Sequence, residues 1–272
     1  MKSWTKVFGL ILTAAFLLTG AMVRGADGTD AAVFSFVQVC DTQLGMNGFA
    51  EDQARFERAV ELINNAGVDF VVICGDLVNK ADDSSYQAFL KTKEKLKVPC
   101  YCVPGNHDDI KKMKELLNCV VPYEVLHKGR AFLFLNSQLW WKQAAPGASV
   151  EQDAWLAEKL AKNSAAATPV FIVQHIPLFK TKVDEKDEYS NLPTEKRMEL
   201  LKLFKEKGVV AVLTGHTHNL YINDYSGMQL VCGEATSKNF DSRPYGFRIW
   251  RVKESGPCVL EFVPLEEAKP KN

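Results

Sequence analysis

Four of the five histidines, His107, His175, His216 and His218, sit in short polar segments directly after apolar runs. Runs of that kind read as buried strands, and in open α/β sheets the carboxyl ends of strands are where ligands bind, because the chain fans out there and leaves a crevice. Other strand ends carry Asp41-Thr42-Gln43, Gly75-Asp76 and Gly105-Asn106-His107-Asp108, and the later ones carry Gln174-His175 and Gly215-His216-Thr217-His218. Singly, each segment is weak. A Gly-Asp after a strand is ordinarily a turn, and a lone histidine there is ordinarily a hydrogen-bonded surface residue. Together the five segments offer carboxylates, amides and imidazoles, which is a metal-ligand set.

No thiolate belongs to that set. Oxygen donors mixed with imidazole favour Mn, Fe or Zn over a soft-metal site. Seven ligands are too many for one such ion and suit two ions that share a carboxylate. Two ions about 3.5–4 Å apart acidify water to a pKa of about 7 or lower and hold it as a bridging hydroxide. Two divalent charges, less Asp41, Asp76 and the hydroxide, leave the centre positive. Such a centre attracts a phosphate ester and stabilises the charge of its transition state.

The elements that must position these donors alternate. Strands are expected over 33–39, 68–74, 98–103, 131–135, 170–173 and 209–213, with helices over 51–65, 85–96, 110–117 and 194–207 between them. Ser149 and Gln152 resemble a capping box opening a helix that carries Trp155, Leu156 and Leu160. After His218 the helical patterns stop, and strand-like runs follow at 220–222, 229–232, 247–252 and 259–263. The reading is one domain with two sheets, one mainly α/β and one mainly antiparallel, the latter built partly from the C-terminal third. The stretch 179–193 is long, charged and aperiodic, and reads equally as a lid or as a solvated connector.

As an ordered set, Asp-x-Gln, Gly-Asp, Gly-Asn-His-Asp, a single histidine and Gly-His-x-His resemble the calcineurin-like metallophosphoesterases across nearly the whole chain after its first 25 residues. Within them, the resemblance is to the calcineurin-like phosphoesterase domain-containing proteins with Asp-Thr-Gln in the first motif. It implies an α/β fold, a four-layer α/β/β/α sandwich of two mixed sheets flanked by helices. It also implies Asp41, Gln43 and His218 on one metal, Asn106, His175 and His216 on the other, and Asp76 bridging. His107 would stand beside the leaving group as proton donor or charge-stabilising contact. The implied activity is a metal-dependent phosphoric ester hydrolase acting through a metal-bridging hydroxide on a phosphomonoester. The alternatives are a phosphodiesterase on the same centre and a metal-retaining binding protein without catalysis.

Two departures from the family pattern bear on the chemistry. Gln43 replaces a histidine, so one metal gains a neutral carbonyl oxygen and should lean toward Mn, Mg or Fe with lower affinity. Asn79 and Lys80 stand where the serine/threonine phosphatases have Asp-Arg, and the tyrosine ligand of purple acid phosphatases is absent at 79. Asn79 is expected to orient His107, and Lys80 to be solvated. Monoester or diester specificity would lie in rim residues drawn from Trp140, Trp141, Phe179, Tyr189, Phe240, Arg243 and Tyr245, each of which reads equally as packing.

Composition narrows the partners. Hydrophobic residues are 47% of the 272 and charged residues 24%, which excludes disorder and coiled coil. Lys+Arg and Asp+Glu balance at 33 each, so nucleic acid is not the expected partner. A small-molecule or envelope phosphoester is. Residues 1–25 read as an export leader: Lys2 and Lys6, an apolar run from Val7 to Leu18, then small residues. The run is short for a transmembrane span, although an uncleaved anchor is the competing reading. Loss of the leader takes the formal charge from 0 to −3 and leaves 26–272 as an exported domain, periplasmic or secreted, with no stable membrane insertion. Seven cysteines, an odd number, lie mostly in apolar runs and read as core packing, with Cys232–Cys258 as the alternative of a bridge between C-terminal strands.

Overall fold

The computed structural model describes residues 32–266, so the proposed leader lies outside the described residues. Among the described residues, eleven strands form two sheets. One sheet contains β1 (Phe34–Val39), β2 (Phe70–Ile73), β3 (Cys100–Cys102), β10 (Gly246–Val252) and β11 (Val259–Pro264), in the order β11-β10-β1-β2-β3. The other contains β4 (Tyr123–His127), β5 (Arg130–Phe134), β6 (Val170–Val173), β7 (Val209–Thr214), β8 (Tyr221–Tyr225) and β9 (Met228–Cys232), in the order β4-β5-β6-β7-β9-β8. Both sheets are mixed. β1-β2-β3 and β5-β6-β7-β9 run parallel, and the flanking pairs are antiparallel.

Side-chain alternation builds the layers. In β1, Phe36 points into the space between the sheets while Val37 and Val39 point outward, and in β6 Phe171 and Val173 point in while Val170 and Ile172 point out. The inner faces meet in an aromatic core where Phe36 stacks on Phe70 at 5.1 Å and meets Phe132 edge-on at 5.1 Å. Helices α1 (Phe49–Asn64), α2 (Asp83–Lys93) and α3 (Ile110–Leu117) cover the first sheet, burying Phe56, Phe89 and Met113 among others. Helices α4 (Val150–Ala165) and α5 (Thr194–Glu206) cover the second through Leu156, Leu160, Leu200 and Phe204. The architecture is the expected four-layer sandwich. Among the described residues no helix is long and apolar enough to cross a membrane.

The structure corrects several expectations. The C-terminal strands do not build a separate, mainly antiparallel sheet. β8 and β9 join the second sheet while β10 and β11 join the first, because β1 and β7 each offer an edge to pair. Strand β4 was not expected: its sequence YEVLH alternates only weakly, and pairing with β5 decides it. Ser149 does not cap α4. Its hydroxyl donates to Asp153, and Gln152 instead exchanges two hydrogen bonds with the backbone of Asn136. Cys232 and Cys258 are both free thiols, in or beside strands of different sheets, and the Cys232 thiol lies 2.9 Å from the Thr217 hydroxyl.

Candidate metal centre

All five segments open at the same end of the sandwich. Asp41 follows β1, Asp76 follows β2 and Asn106 and His107 follow β3 in one sheet, while His175 follows β6 and His216 and His218 follow β7 in the other. Backbone bonds continue past the strand ends and clamp the loops together, as in Gln43 N to Asp76 O at 2.8 Å and Gly215 N to His175 O at 2.9 Å. The turns are tight. Asp41, Gln43, Asp76, His216 and His218 all have left-handed φ, between 32° and 74°. Such a conformation costs a non-glycine residue about 1–2 kcal/mol, so concentrating five in one place marks a functional site. Gly75 is required by the same crowding: its φ is 85°, and a Cβ there would stand 2.7 Å from Nδ1 of His175.

Two sets of donor atoms converge, one on Asp76, His175 and His216 and one on Asp41, Asp76 and His218, all buried. Asp76 belongs to both. His175 Nε2 stands 3.1 Å from Asn106 Oδ1, 3.2 Å from His216 Nδ1 and 3.4 Å from Asp76 Oδ2. On the other side His218 Nε2 is 3.7 Å from Asp41 Oδ1. Gln43 lies alongside. Its Nε2 donates to Asn79 Oδ1 at 3.3 Å, and its Oε1 is buried without a hydrogen-bond partner. A buried orphan carbonyl costs free energy unless something electropositive meets it.

The imidazoles are oriented in one way. His175 Nδ1 donates to Cys74 O at 2.8 Å, His218 Nδ1 to Lys238 O at 2.6 Å and His216 Nε2 to Tyr189 O at 3.0 Å. Each carbonyl takes one ring N–H and turns the other nitrogen inward, the arrangement that metal-binding histidines use. Lone pairs crowded on two points, one unpaired amide oxygen and carbonyl-anchored imidazoles together fit two cations.

The charges supplied by the protein reinforce that fit. Burial pushes the Asp41 carboxyl up, against the pull of His218 and His175. Burial acts on Asp76 in the same sense, but the adjacent His175 outweighs it and holds the carboxyl down to about 2. His175 is lifted to about 10 by Asp76 although burial opposes this, and burial with repulsion from His175 pushes His216 down to about 3.

His107 lines the same cavity, of roughly 190 Å³, with its Nδ1 donating to Asn79 O at 3.1 Å. Asn79 therefore orients His107 through its backbone, while its side chain serves Gln43 and Gly45. Lys80 is exposed. Of the rim residues, only Tyr189 and Phe240 reach the cavity, stacked on His216 and His218 at 5.0 and 4.9 Å. Trp140, Trp141 and Phe179 are buried in the second core, Tyr245 packs under Arg55, and Arg243 pairs with Asp241. Sequence reasoning gave Asp108 no role. Its carboxylate accepts from the backbone N–H of Leu77 and Gly105, tying two ligand loops together, and from Tyr86 Oη. Its place in Gly-Asn-His-Asp was the available signal.

Fold and site define a dimetal-type phosphoester hydrolase. The calcineurin-like phosphoesterase family model matches residues 34–220, and the chain belongs to that family. It is 30% identical over 248 residues to the serine/threonine-protein phosphatase CPPED1 of Rattus norvegicus, covering 79% of each chain. It is 28% identical over 259 residues to the 3',5'-cyclic adenosine monophosphate phosphodiesterase CpdA of Haemophilus influenzae, covering 87% of this chain and 92% of that one. A dimetal phosphatase structure from Danio rerio superposes with a TM-score of 0.71 at 15% identity, over 87% of this chain and 98% of that one, and shares the fold.

Proposed function

We propose that this calcineurin-like phosphoesterase is an exported phosphomonoesterase in which Asp41, Gln43 and His218 hold one cation, Asn106, His175 and His216 the second, and Asp76 both. The observation that carries this reading is the pair of donor sets sharing Asp76, with each imidazole pinned to a backbone carbonyl. Two such cations would supply Lewis acidity for phosphoryl oxygens and acidify water. The chain's own residues supply the rest. The carbonyl anchors hold the imidazoles rigid, so no reorganisation accompanies charge development. His107, with its Nδ1–H on Asn79 O, lines the cavity with the rest of its ring; in its imidazolium form it can give the Nε2 proton to the departing alkoxide and return to the neutral Nδ1–H tautomer. Gln43 in place of a histidine favours Mn, Mg or Fe over Zn at the first position.

The monoester preference is supported by the small cavity, flanked by Tyr189 and Phe240, and by the name of the rat relative. The diester reading draws on the Haemophilus relative, and it would put a second ester group on a phosphoryl oxygen away from the leaving group. Rates on p-nitrophenyl phosphate and bis-p-nitrophenyl phosphate, with Mn²⁺, Mg²⁺, Zn²⁺ and Fe²⁺ supplied in turn, decide between them. Faster diester cleavage reverses the preference. Metal uptake with no turnover on either leaves a binding protein.

Export rests on residues 1–25, and the substrate pool would then be small-molecule or envelope phosphoesters. N-terminal sequencing of the protein recovered from the periplasm or medium should begin near residue 26. Full-length protein in the cytoplasmic fraction removes the proposal.

A further inference from the structure

Tyr189 comes from the segment between β6 and α5, the stretch that sequence reading left between a lid and a connector. Its hydroxyl oxygen accepts from Asn106 Nδ2 at 3.0 Å. Among the described residues its own O–H has no acceptor, and it lines the cavity beside Asn106 and His107. The donors around it are committed: Gln43 Nε2 to Asn79, Asn106 Nδ2 to Tyr189 itself, and the outer imidazole nitrogens to backbone carbonyls. A neutral hydroxyl with a free hydrogen, lining the cavity in which the proposed function seats a phosphoryl group, is a hydrogen-bond donor waiting for an acceptor.

The residue is held there, although 49% of its surface is exposed. Its carbonyl takes two hydrogen bonds, from His216 Nε2 and Trp141 Nε1, each at 3.0 Å, and its ring meets Trp141 edge-on at 4.8 Å. The segment is tied down from below by the buried Arg197, which donates to the carbonyls of Val183, Glu185 and Leu192 at 2.8 to 3.0 Å. Glu185 in turn accepts from the backbone N–H of Lys180 and Thr181. These are the supports of a preorganised group rather than of a solvated connector.

We propose that Tyr189 is a substrate-binding residue whose hydroxyl, besides accepting from Asn106, donates to a non-bridging phosphoryl oxygen. The inference rests on the phosphoesterase reading and names the contact that recognises the phosphoryl group. No proton is transferred; the O–H stays on Tyr189.

The test compares wild type and Tyr189→Phe, both loaded with Mn²⁺, for metal content and for orthovanadate affinity by calorimetry. Vanadate presents equatorial oxygens like those of the transition state. Loss of one hydrogen bond to a charged acceptor should weaken vanadate roughly 10- to 100-fold at unchanged metal content. Tyr189→Ala removes the ring as well, and the two variants should weaken vanadate similarly. Unchanged vanadate affinity in Tyr189→Phe overturns the assignment. So does a fall in metal content that fully accounts for the weakening, since Tyr189 would then only position Asn106. If the wild type itself neither binds vanadate nor hydrolyses a phosphoester, the phosphoesterase reading fails and takes this inference with it.

Discussion

His175 Nε2 faces Asp76 Oδ2 at 3.4 Å, across the seam between the two sheets, with the imidazole following β6 and the carboxylate following β2. Asp76 lifts His175 to about 10 against the effect of burial, which favours a second proton, on Nε2, in the protein without a cation. A cation entering the site must displace it. The sign follows: below pH 10 acidification favours the protonated form, so Mn²⁺ affinity falls as the pH falls and loading releases protons. His216, pushed down to about 3, contributes none near neutral pH, whereas Asp108, raised to about 7 by burial and by Asp76, contributes there. Calorimetric titrations between pH 6 and 8 in buffers of different ionisation enthalpy measure both quantities. Affinity that stays flat across that range refutes the assignment of His175.

Asp76 belongs to both donor sets, so Asp76→Asn should empty both positions together. Metal analysis after gel filtration is expected to show well under one ion per chain. Retention of one full equivalent would mean that the carboxylate serves a single cation.

His107 touches no other candidate ligand through its ring, since Nδ1 is taken by Asn79 O. His107→Ala should therefore keep its metal and lose turnover, by roughly 10²-fold or more on an alkyl phosphate. With p-nitrophenyl phosphate, whose leaving group needs little protonation, the loss should be smaller. Equal losses on the two substrates would rule out proton donation.

Arg197 is fully buried and donates to three backbone carbonyls of the segment that carries Tyr189. Arg197→Leu keeps apolar volume but leaves those carbonyls unpaired, a loss of about 3 kcal/mol. The melting temperature should fall by roughly 6–12 °C. A shift under 2 °C by calorimetry would show that water replaces the guanidinium without penalty.

Much of the site was legible because its donors follow apolar strands, and a strand end is a position that a one-dimensional pattern can locate. The four layers were implied by the family resemblance and not by periodicity: these strands are apolar on both faces, so only the structure shows that Phe36, Phe70, Phe132 and Phe171 face the space between the sheets. β4 and the destination of the C-terminal strands were not, because strand pairing is a non-local choice made by open edges. Nor was the part played by 179–193. Its charges read as solvated, yet Glu185 and Arg197 spend theirs on backbone groups of that same segment.

The sequence by itself determined which donors exist, that they stand at strand ends, and that none is a thiolate. The family resemblance already implied Asp76 as the shared donor; only the tertiary structure decided that the Asn79 backbone rather than its side chain holds His107, and that Tyr189 lines the cavity. The physical reason is range. Residue type and period are fixed along the chain, whereas a convergence within 3–4 Å of residues more than a hundred positions apart depends on how two separately twisted sheets pack face to face.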